Sequence, residues 1–210
     1  MLTLAEYLKD PCGNASLPYW KQKTLFLPDD VKIVHDRDYR AEEWKNFDDE
    51  SYFRLLHNLK NIAPRAALGT VDDAHGAVDE FVRLINACYS DLRVTPEQIE
   101  GFRKTPAFCP DLWVLLKEGE TGRVVGGGIG DFDGETGEAT LEWIQVLPEC
   151  RGRGYGHFIV NELLERMRGR ARFATVSGKV KNPTRPEKLY RNCGFTGSDV
   201  WHILVRKRAH

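Results

Sequence analysis

The sequence predicts an α/β protein made of one main domain and an N-terminal extension. Hydrophobic patterns typical of strands and helices alternate along 65–210. A glycine-rich segment links a predicted strand to a predicted amphipathic helix, and the length of 210 residues suits one compact unit. Hydrophobic residues make up 41% of the chain, which is enough to form a core and argues against disorder.

Residues 1–64 are predicted to form the extension. Its first thirty positions are interrupted by turn-forming residues, namely Pro11, Gly13, Pro18 and Pro28. A short strand is expected at 31–34 and a helix over 51–62, where apolar residues recur every three to four positions. So few apolar residues would sustain only a marginal core. We therefore expect the extension to pack on the domain formed by 65–210.

The main domain is predicted to begin with a strand, two helices and three strands. The first strand is expected at 66–70, and the apolar residues of 74–89 share one helical face. A second helix begins at Thr95, an N-cap followed by Pro96 at the first helical position and Gln98 at the third. Strands are expected to follow at 112–117, 124–132 and 140–147.

Turn and capping residues predict how the later elements are joined. The Asp133-Gly134 pair is typical of a hairpin, and the three glycines at 126–128, inside a strand, indicate close packing or a bulge. Thr184 and Glu187 form a capping box that opens a short helix, which Gly194 can end. The remaining elements are expected to be a helix over 154–168, a strand over 173–179 and a closing hairpin over 195–205.

Composition predicts a reduced, unexported protein without a metal. The five cysteines include no C-x-x-C pair, and the six histidines form no H-E-x-x-H motif. No apolar run reaches the roughly 18 residues of a membrane span. Glu6, Lys9 and Asp10 lie where a secretory signal would be apolar. We therefore expect a cytoplasmic protein with no membrane partner and no metal site.

Positive charge is concentrated between Arg151 and Arg191. This window holds 11 Lys or Arg residues against 3 acidic ones, whereas the whole chain carries a net charge of −1. Such an excess indicates a place where a small anion binds. No platform of aromatic residues is interleaved with the basic residues, so a nucleic-acid partner is not expected.

The most informative segment runs from Glu142 to Gly156, where a strand leads through a glycine-rich loop into a helix. Glycines allow positive φ and close approach of the backbone, and the first N–H groups of a helix point toward anions. Arg151 and Arg153 add positive charge suited to a diphosphate. The segment lacks the G-x-G-x-x-G spacing of dinucleotide sites and the Lys-Ser/Thr of a P-loop.

Two motifs together resemble those of the GCN5-related N-acetyltransferase (GNAT) family. Arg151-x-x-Gly154-x-Gly156 matches the family's Q/R-x-x-G-x-G/A pyrophosphate loop, and Leu189-Tyr190-Arg191-Asn192-Cys193-Gly194-Phe195 matches the L-Y-x-x-x-G-F ending of its last helix. The resemblance covers about 65–208. It implies the GNAT fold, a central mixed, mostly antiparallel twisted sheet flanked by helices, and it implies acetyl-CoA as the cofactor.

The resemblance also implies which residues hold acetyl-CoA. In this family, backbone groups of the strand before the loop pair with pantetheine, and here they would belong to Ile144, Gln145 and Val146. The diphosphate would lie on Arg151, Gly152, Arg153, Gly154, Tyr155 and Gly156. Asn182 matches a position where the family often has an asparagine facing the cofactor.

Acyl transfer to an amine needs a base, an oxyanion donor and an acid. Tyr190 resembles the family's general acid, since a phenol with a pKa near ~10 can protonate a thiolate. Glu142 is the candidate base, and strand alternation places it on the same face as Ile144 and Val146. A backbone N–H near Val146 would stabilise the oxyanion. Two other interpretations stay open, Glu142 as a solvated carboxylate and Tyr190 as a core aromatic.

The sequence therefore predicts an acetyl-CoA-dependent N-acetyltransferase acting on a primary amine of a small molecule. The choice of acceptor is expected to depend on the helices within 74–104 and on the extension. A non-catalytic acyl-CoA-binding sensor or interaction module is the alternative. The sequence leaves a homodimer open.

Overall fold

The computed structural model describes residues 2–64, 68–89, 92–119 and 121–208. Within these ranges the strands are β1 Val31–His35, β2 Phe47–His57, β3 Gly69–Asp73, β4 Phe108–Glu118, β5 Val124–Asp133, β6 Glu138–Val146, β7 Phe173–Lys179 and β8 Thr196–Arg206. The α-helices are α1 Leu4–Lys9, α2 Tyr19–Gln22, α3 Val78–Cys88, α4 Pro96–Phe102, α5 Tyr155–Met167 and α6 Pro186–Asn192.

The strands form one sheet in the order β1-β8-β2-β7-β6-β5-β4-β3. Neighbouring strands are antiparallel except β6 and β7, which are parallel. The main core lies between one face of the sheet and α5, whose Ile159 and Leu163 are buried. A second core on the opposite face joins α3 and α4 to Trp113. The mixed, mostly antiparallel sheet predicted from the resemblance is confirmed.

Most of the elements predicted for the main domain are confirmed with small shifts of their ends. The capping box of α4 is present: the Gln98 N–H donates to Thr95 Oγ1 at 3.3 Å, and the Thr95 N–H donates to Gln98 Oε1 at 2.9 Å. The expected strand at 66–70 lies partly outside the described residues, and β3 begins at Gly69. Among the described helices, none is both long and apolar enough to cross a membrane.

The predicted helix over 51–62 is wrong, because this segment belongs to strand β2 and the turn after it. β2 lies between β7 and β8, and its second half, from Phe53 to His57, is largely buried on both faces. Phe53 and Leu55 join the main core, while Arg54 is 1% exposed on the opposite face. A strand buried on both faces loses the simple alternation of apolar and polar residues. Its apolar spacing therefore imitates that of a helix.

The N-terminal extension contributes strands to the sheet itself. β1 lies where a strand was predicted, and β2 takes a central position. The Arg54 guanidinium pairs with the fully buried Glu138 carboxylate at 3.1 Å, and the Tyr7 hydroxyl donates to the same carboxylate at 2.6 Å. Removing one partner would leave a buried charge unpaired, at a cost of several kcal/mol (~3–5). The domain boundary at residue 64 stays a prediction.

Two local predictions near the C-terminus are wrong. Thr184 does not cap α6, because its hydroxyl and N–H both donate to Asn182 Oδ1, at 2.8 and 2.9 Å. Arg185 stands at the N-cap in a left-handed conformation, with φ 52°. The predicted closing hairpin is instead the single strand β8. Gly197 of β8 lies near a shift in the register between β8 and β2. Gly194, with φ 94°, ends α6 as predicted.

Candidate active site

Strands β6 and β7 separate at the centre of the sheet. They pair only from Glu138 to Leu141 on β6 and from Phe173 to Val176 on β7. Beyond this point β7 pairs with β2 as far as Lys179, and β6 follows β5. We call the opening between 142–146 and 177–179 the β6–β7 seam. Within the described residues, the backbone of 142–146 thus has a strand partner on one side only.

The resemblance assigns the backbone of Ile144, Gln145 and Val146 to pantetheine, and the structure places these residues along the seam. The Val146 carbonyl already accepts hydrogen bonds from Arg151 Nε at 3.2 Å and from the Cys88 thiol at 3.4 Å. Gln145 is buried, and its side-chain amide has no hydrogen-bond partner among the described residues. An unsatisfied buried amide is uncommon and suits contact with a polar ligand.

The glycine loop has the backbone geometry of an anion site. Gly152 and Gly154 have φ values of 80° and 87°, which favour glycine strongly. A Cβ on Gly152 would meet nothing within 4 Å, so this side of the loop is open. Gly154 is the N-cap of α5 and has no side chain to cap it, which leaves the first N–H groups of α5 available. The loop therefore fits a diphosphate.

The side chains of the loop do not all face the same way. Arg151 fastens the loop to α3, because its Nη2 donates to the Cys88 carbonyl at 3.2 Å. The Tyr155 hydroxyl donates to Glu118 at 2.8 Å, and Arg153 lies 3.7 Å from the same carboxylate with 59% of its side chain exposed. Arg153 is thus an exposed loop cation that a diphosphate can reach.

Close packing at Gly156 holds α6 beside the loop. A Cβ on Gly156 would approach Leu189 Cδ2 at 3.1 Å, which is tighter than most side-chain contacts. Leu189 precedes Tyr190 on α6. The two motifs that carry the family resemblance therefore lie against each other in the fold.

Asn182 forms the turn before α6 through its two hydrogen bonds with Thr184. It also lines a surface cavity of about 400 Å³, together with the basic residues Lys179, Arg185, Lys188 and Arg191. Its predicted contact with the cofactor stays a prediction.

A bulge in β6 changes where Glu142 lies. The register shifts between Gly127 and Ile129 of β5, and Trp143 has φ 45°. Glu142 therefore opposes Ile129, a residue of the core beneath α3, whereas Ile144 and Val146 pack on the α5 side. The predicted common face of Glu142, Ile144 and Val146 is wrong, because the extra residue reverses the alternation.

Glu142 has a partner that the sequence did not indicate. The Lys21 ammonium group, on α2 of the extension, donates a hydrogen bond to Glu142 Oε1. Both side chains are 29% exposed, so the pair remains accessible to solvent. More than 100 residues separate the two positions, and no local pattern relates them.

A second carboxylate, also missed, lies beside this pair. Asp131 is 6% exposed on β5, where it opposes Thr140. The pKa of Asp131 is raised to about 7, first by burial and then by the Glu142 charge, while the Lys21 charge opposes both effects. Asp131, Glu142 and Lys21 thus form one electrostatic cluster on the sheet face opposite α5. Only the pairing of β5 with β6 reveals it.

Tyr190 is buried between aromatic rings at the other face. Its ring centroid lies 6.2 Å from that of Phe53 and 5.7 Å from that of Phe195. Burial raises the pKa of Tyr190 well above 10, and negative charge on Tyr89 and Glu142 adds to the effect. The phenol therefore keeps its proton at neutral pH.

An opened seam beside a glycine-rich helix N-terminus defines an α/β protein of the acetyltransferase class. The chain belongs to the acetyltransferase (GNAT) family, whose model matches residues 78–195. The family generally binds acyl-CoA. No curated protein matches the chain in sequence.

Solved structures share this fold at low sequence identity. A GCN5-related N-acetyltransferase from Sphaerobacter thermophilus has a TM-score of 0.66 at 17% identity, over 90% of this chain and 65% of the other. A GNAT-family acetyltransferase from Colwellia psychrerythraea has a TM-score of 0.61 at 15% identity, over 83% and 65% of the two chains. The ribosomal-protein-S18-alanine N-acetyltransferase from Escherichia coli has a TM-score of 0.52 at 16% identity, over 67% and 96%. This chain thus spans about two thirds of the length of the first two proteins.

Proposed function

We propose that this protein is an acetyl-CoA-dependent N-acetyltransferase that acetylates a primary amine of a small molecule. The observation that carries the proposal is the β6–β7 seam, which opens at Glu142, with Tyr190 close enough for its pKa to respond to the Glu142 charge. The glycine loop and the N-terminus of α5 supply an anion site on the adjoining edge. A base, an acid and a place for the cofactor are thus available together.

In the proposed reaction each side chain has one task. Glu142 accepts a proton from the acceptor ammonium, and its partial exposure lets an amine approach. The free amine attacks the thioester carbonyl, and a backbone N–H near Val146 stabilises the developing oxyanion. Tyr190 then protonates the departing thiolate, which its raised pKa allows because the phenol is protonated beforehand.

The acetyl-CoA contacts follow the assigned residues. The backbone of 144–146 would pair with pantetheine along the seam, and the N–H groups of 152–156 with Arg153 would hold the diphosphate. Arg151 would act indirectly, by keeping the loop fastened to Val146 and Cys88. Asn182 remains a proposed contact from the turn before α6.

The acceptor is proposed to be a cation, since two carboxylates, Glu142 and Asp131, lie on the sheet face where it would bind. Glu142 already accepts a hydrogen bond from the Lys21 ammonium group, and the Lys21 charge lowers the pKa of the nearby Asp131. The same charges would attract an ammonium group of an external substrate and orient it toward the seam.

A second candidate is a non-catalytic acyl-CoA-binding module. It is favoured by one observation: Glu142 is already paired with the Lys21 ammonium group, which hinders Glu142 from acting on an external amine. Thiol release from acetyl-CoA, measured with a panel of primary amines, distinguishes the two candidates when combined with calorimetric binding of acetyl-CoA. Amine-dependent release that Glu142→Gln abolishes supports the transferase. Binding without release across the panel supports the module. The exposed Glu135 provides a matched carboxylate control as Glu135→Gln.

A further inference from the structure

The first residues of the chain lie on the sheet face opposite α5, which carries Glu142 and where the acceptor is proposed to bind. We call residues 2–27 the N-terminal segment. Tyr7 donates to Glu138 at 2.6 Å, and the Trp201 indole donates to the Cys12 carbonyl at 2.8 Å. Tyr7 and Tyr19 form a small core of their own, with ring centroids 5.3 Å apart. Several independent contacts therefore hold the segment in one position.

This anchoring places one primary amine on the proposed base. Lys21 lies on α2, and its ammonium group donates to Glu142 Oε1. The Trp20 ring lies 5.2 Å from the same nitrogen and limits where it can move. Asp131 is close enough for its pKa to respond to the charges of Lys21 and Glu142. An amine, a base and a second carboxylate thus meet where an external acceptor amine would be expected.

The neighbouring Lys23 provides a natural comparison. It lies two residues further along the same segment and pairs with Glu135, on the hairpin between β5 and β6. The Lys23 side chain is 44% exposed, against 29% for Lys21. Exposure alone would favour modification of Lys23, whereas proximity to Glu142 favours Lys21.

We propose that Lys21 is a self-acetylation site, and that its ε-amine, held on Glu142, accepts the acetyl group from acetyl-CoA bound to the same chain. The proposal rests on the proposed function, because it uses the same base, acid and cofactor. It adds an intramolecular acceptor that lies within the N-terminal segment.

The reaction balances without a further reactant. Glu142 takes one proton from the Lys21 ammonium group, and the Lys21 nitrogen then forms a bond to the thioester carbonyl carbon. The carbon–sulfur bond breaks, and the thiolate takes a proton from Tyr190. The second proton leaves the Lys21 nitrogen as the amide forms and restores Tyr190 through solvent. The products are N-acetyl-Lys21, coenzyme A thiol and one proton released to water.

The test is incubation of the full chain with acetyl-CoA, followed by peptide mass spectrometry over time. We expect acetyl groups to accumulate on Lys21 well before Lys23, at a first-order rate that does not change with protein concentration. Glu142→Gln should slow acetylation of Lys21 on the order of 10²-fold. Lys23→Arg should leave the modification of Lys21 unchanged, and Lys21→Arg should remove it.

Three results would overturn the inference. These are acetylation of Lys21 and Lys23 at equal rates, a rate on Lys21 that rises with protein concentration, and an unmodified Lys21. If Lys21 stays unmodified while external amines still drive thiol release, the self-acetylation is wrong and the proposed function stands. If neither occurs, both are wrong.

Discussion

Lys21 and Glu142 lie 121 positions apart in the sequence and share a hydrogen bond at the edge of the β6–β7 seam. The N-terminal segment that carries Lys21 is fixed to the sheet by Tyr7, whose hydroxyl binds Glu138 on the same strand as Glu142. Two carboxylates of this strand, four positions apart, thus hold the segment and accept a hydrogen bond from its amine. The hydrogen bond between Lys21 and Glu142 connects the N-terminal extension to the proposed base, and variants of either residue test the proposal.

Glu142→Gln is expected to lower kcat for an amine acceptor by about 10²-fold, because the amide cannot accept the ammonium proton. The affinity for acetyl-CoA, measured by calorimetry, should change little. Glu135→Gln, which removes an exposed carboxylate on the adjacent hairpin, should leave kcat near that of the wild type. Equal kcat values for wild type and Glu142→Gln would remove Glu142 from the role of base.

Tyr190→Phe is expected to lower kcat much more than the affinity for acetyl-CoA, since the ring remains and only the proton donor is lost. Burial raises the pKa of Tyr190, so kcat of the wild type should show no alkaline decline from this group below about pH 10. Steady-state kinetics across pH check both statements. A normal kcat for Tyr190→Phe would assign the proton to another group.

Arg153→Ala is expected to weaken acetyl-CoA binding before it affects kcat. Arg153 is the exposed cation of the glycine loop, and a charge-assisted hydrogen bond contributes on the order of 1.5–3 kcal/mol. The dissociation constant from calorimetry should therefore rise about 10- to 100-fold. Arg123→Ala is the matched control, because Arg123 is similarly exposed and pairs with Glu149. An unchanged dissociation constant for Arg153→Ala would place the diphosphate elsewhere.

Lys21→Ala is expected to lower the KM for a cationic external amine, because the variant frees Glu142 from its internal partner. Competition between two ammonium groups for one carboxylate predicts a change in KM of up to about fivefold, which corresponds to the ~0.2–1 kcal/mol of an exposed ion pair. Lys23→Ala, which frees only Glu135, should leave KM unchanged. A higher KM for Lys21→Ala would show that Lys21 assists binding of the acceptor and does not compete with it.

Asp131→Asn is expected to raise the melting temperature at pH 8 and to change it little at pH 4. The pKa of Asp131 is about 7 in the folded chain against an ordinary value of 3.8, so between these values the folded state holds the extra proton. Stability then falls as the pH rises through this window, by on the order of 4 kcal/mol in full. The asparagine side chain does not ionise, so the variant keeps the stability that the wild type loses as Asp131 gives up its proton.

Thermal unfolding of Asp131→Asn and of Asp29→Asn, at an exposed position, provides the comparison. Asp29→Asn should show the same dependence on pH as the wild type. A melting temperature for Asp131→Asn that tracks the wild type at every pH would contradict the raised pKa.

The parts of the site that depend on local chemistry could be predicted from neighbouring residues alone. The left-handed glycines, the start of α5 and the capping box of α4 follow from residues a few positions apart, and the structure has each of them. The order of strands and helices from α3 to α6 follows from hydrophobic period in the same way.

The features that depend on distant contacts follow from the folded chain and from no local pattern. The second half of strand β2 is largely buried on both faces, so its sequence resembles a helix until β7 and β8 lie beside it. The bulge at Trp143 moves Glu142 to the face opposite Ile144, and one extra residue is enough to do so. The meeting of Lys21, Glu142 and Asp131 combines three segments that no periodicity connects, because burial and pairing across the sheet bring them together.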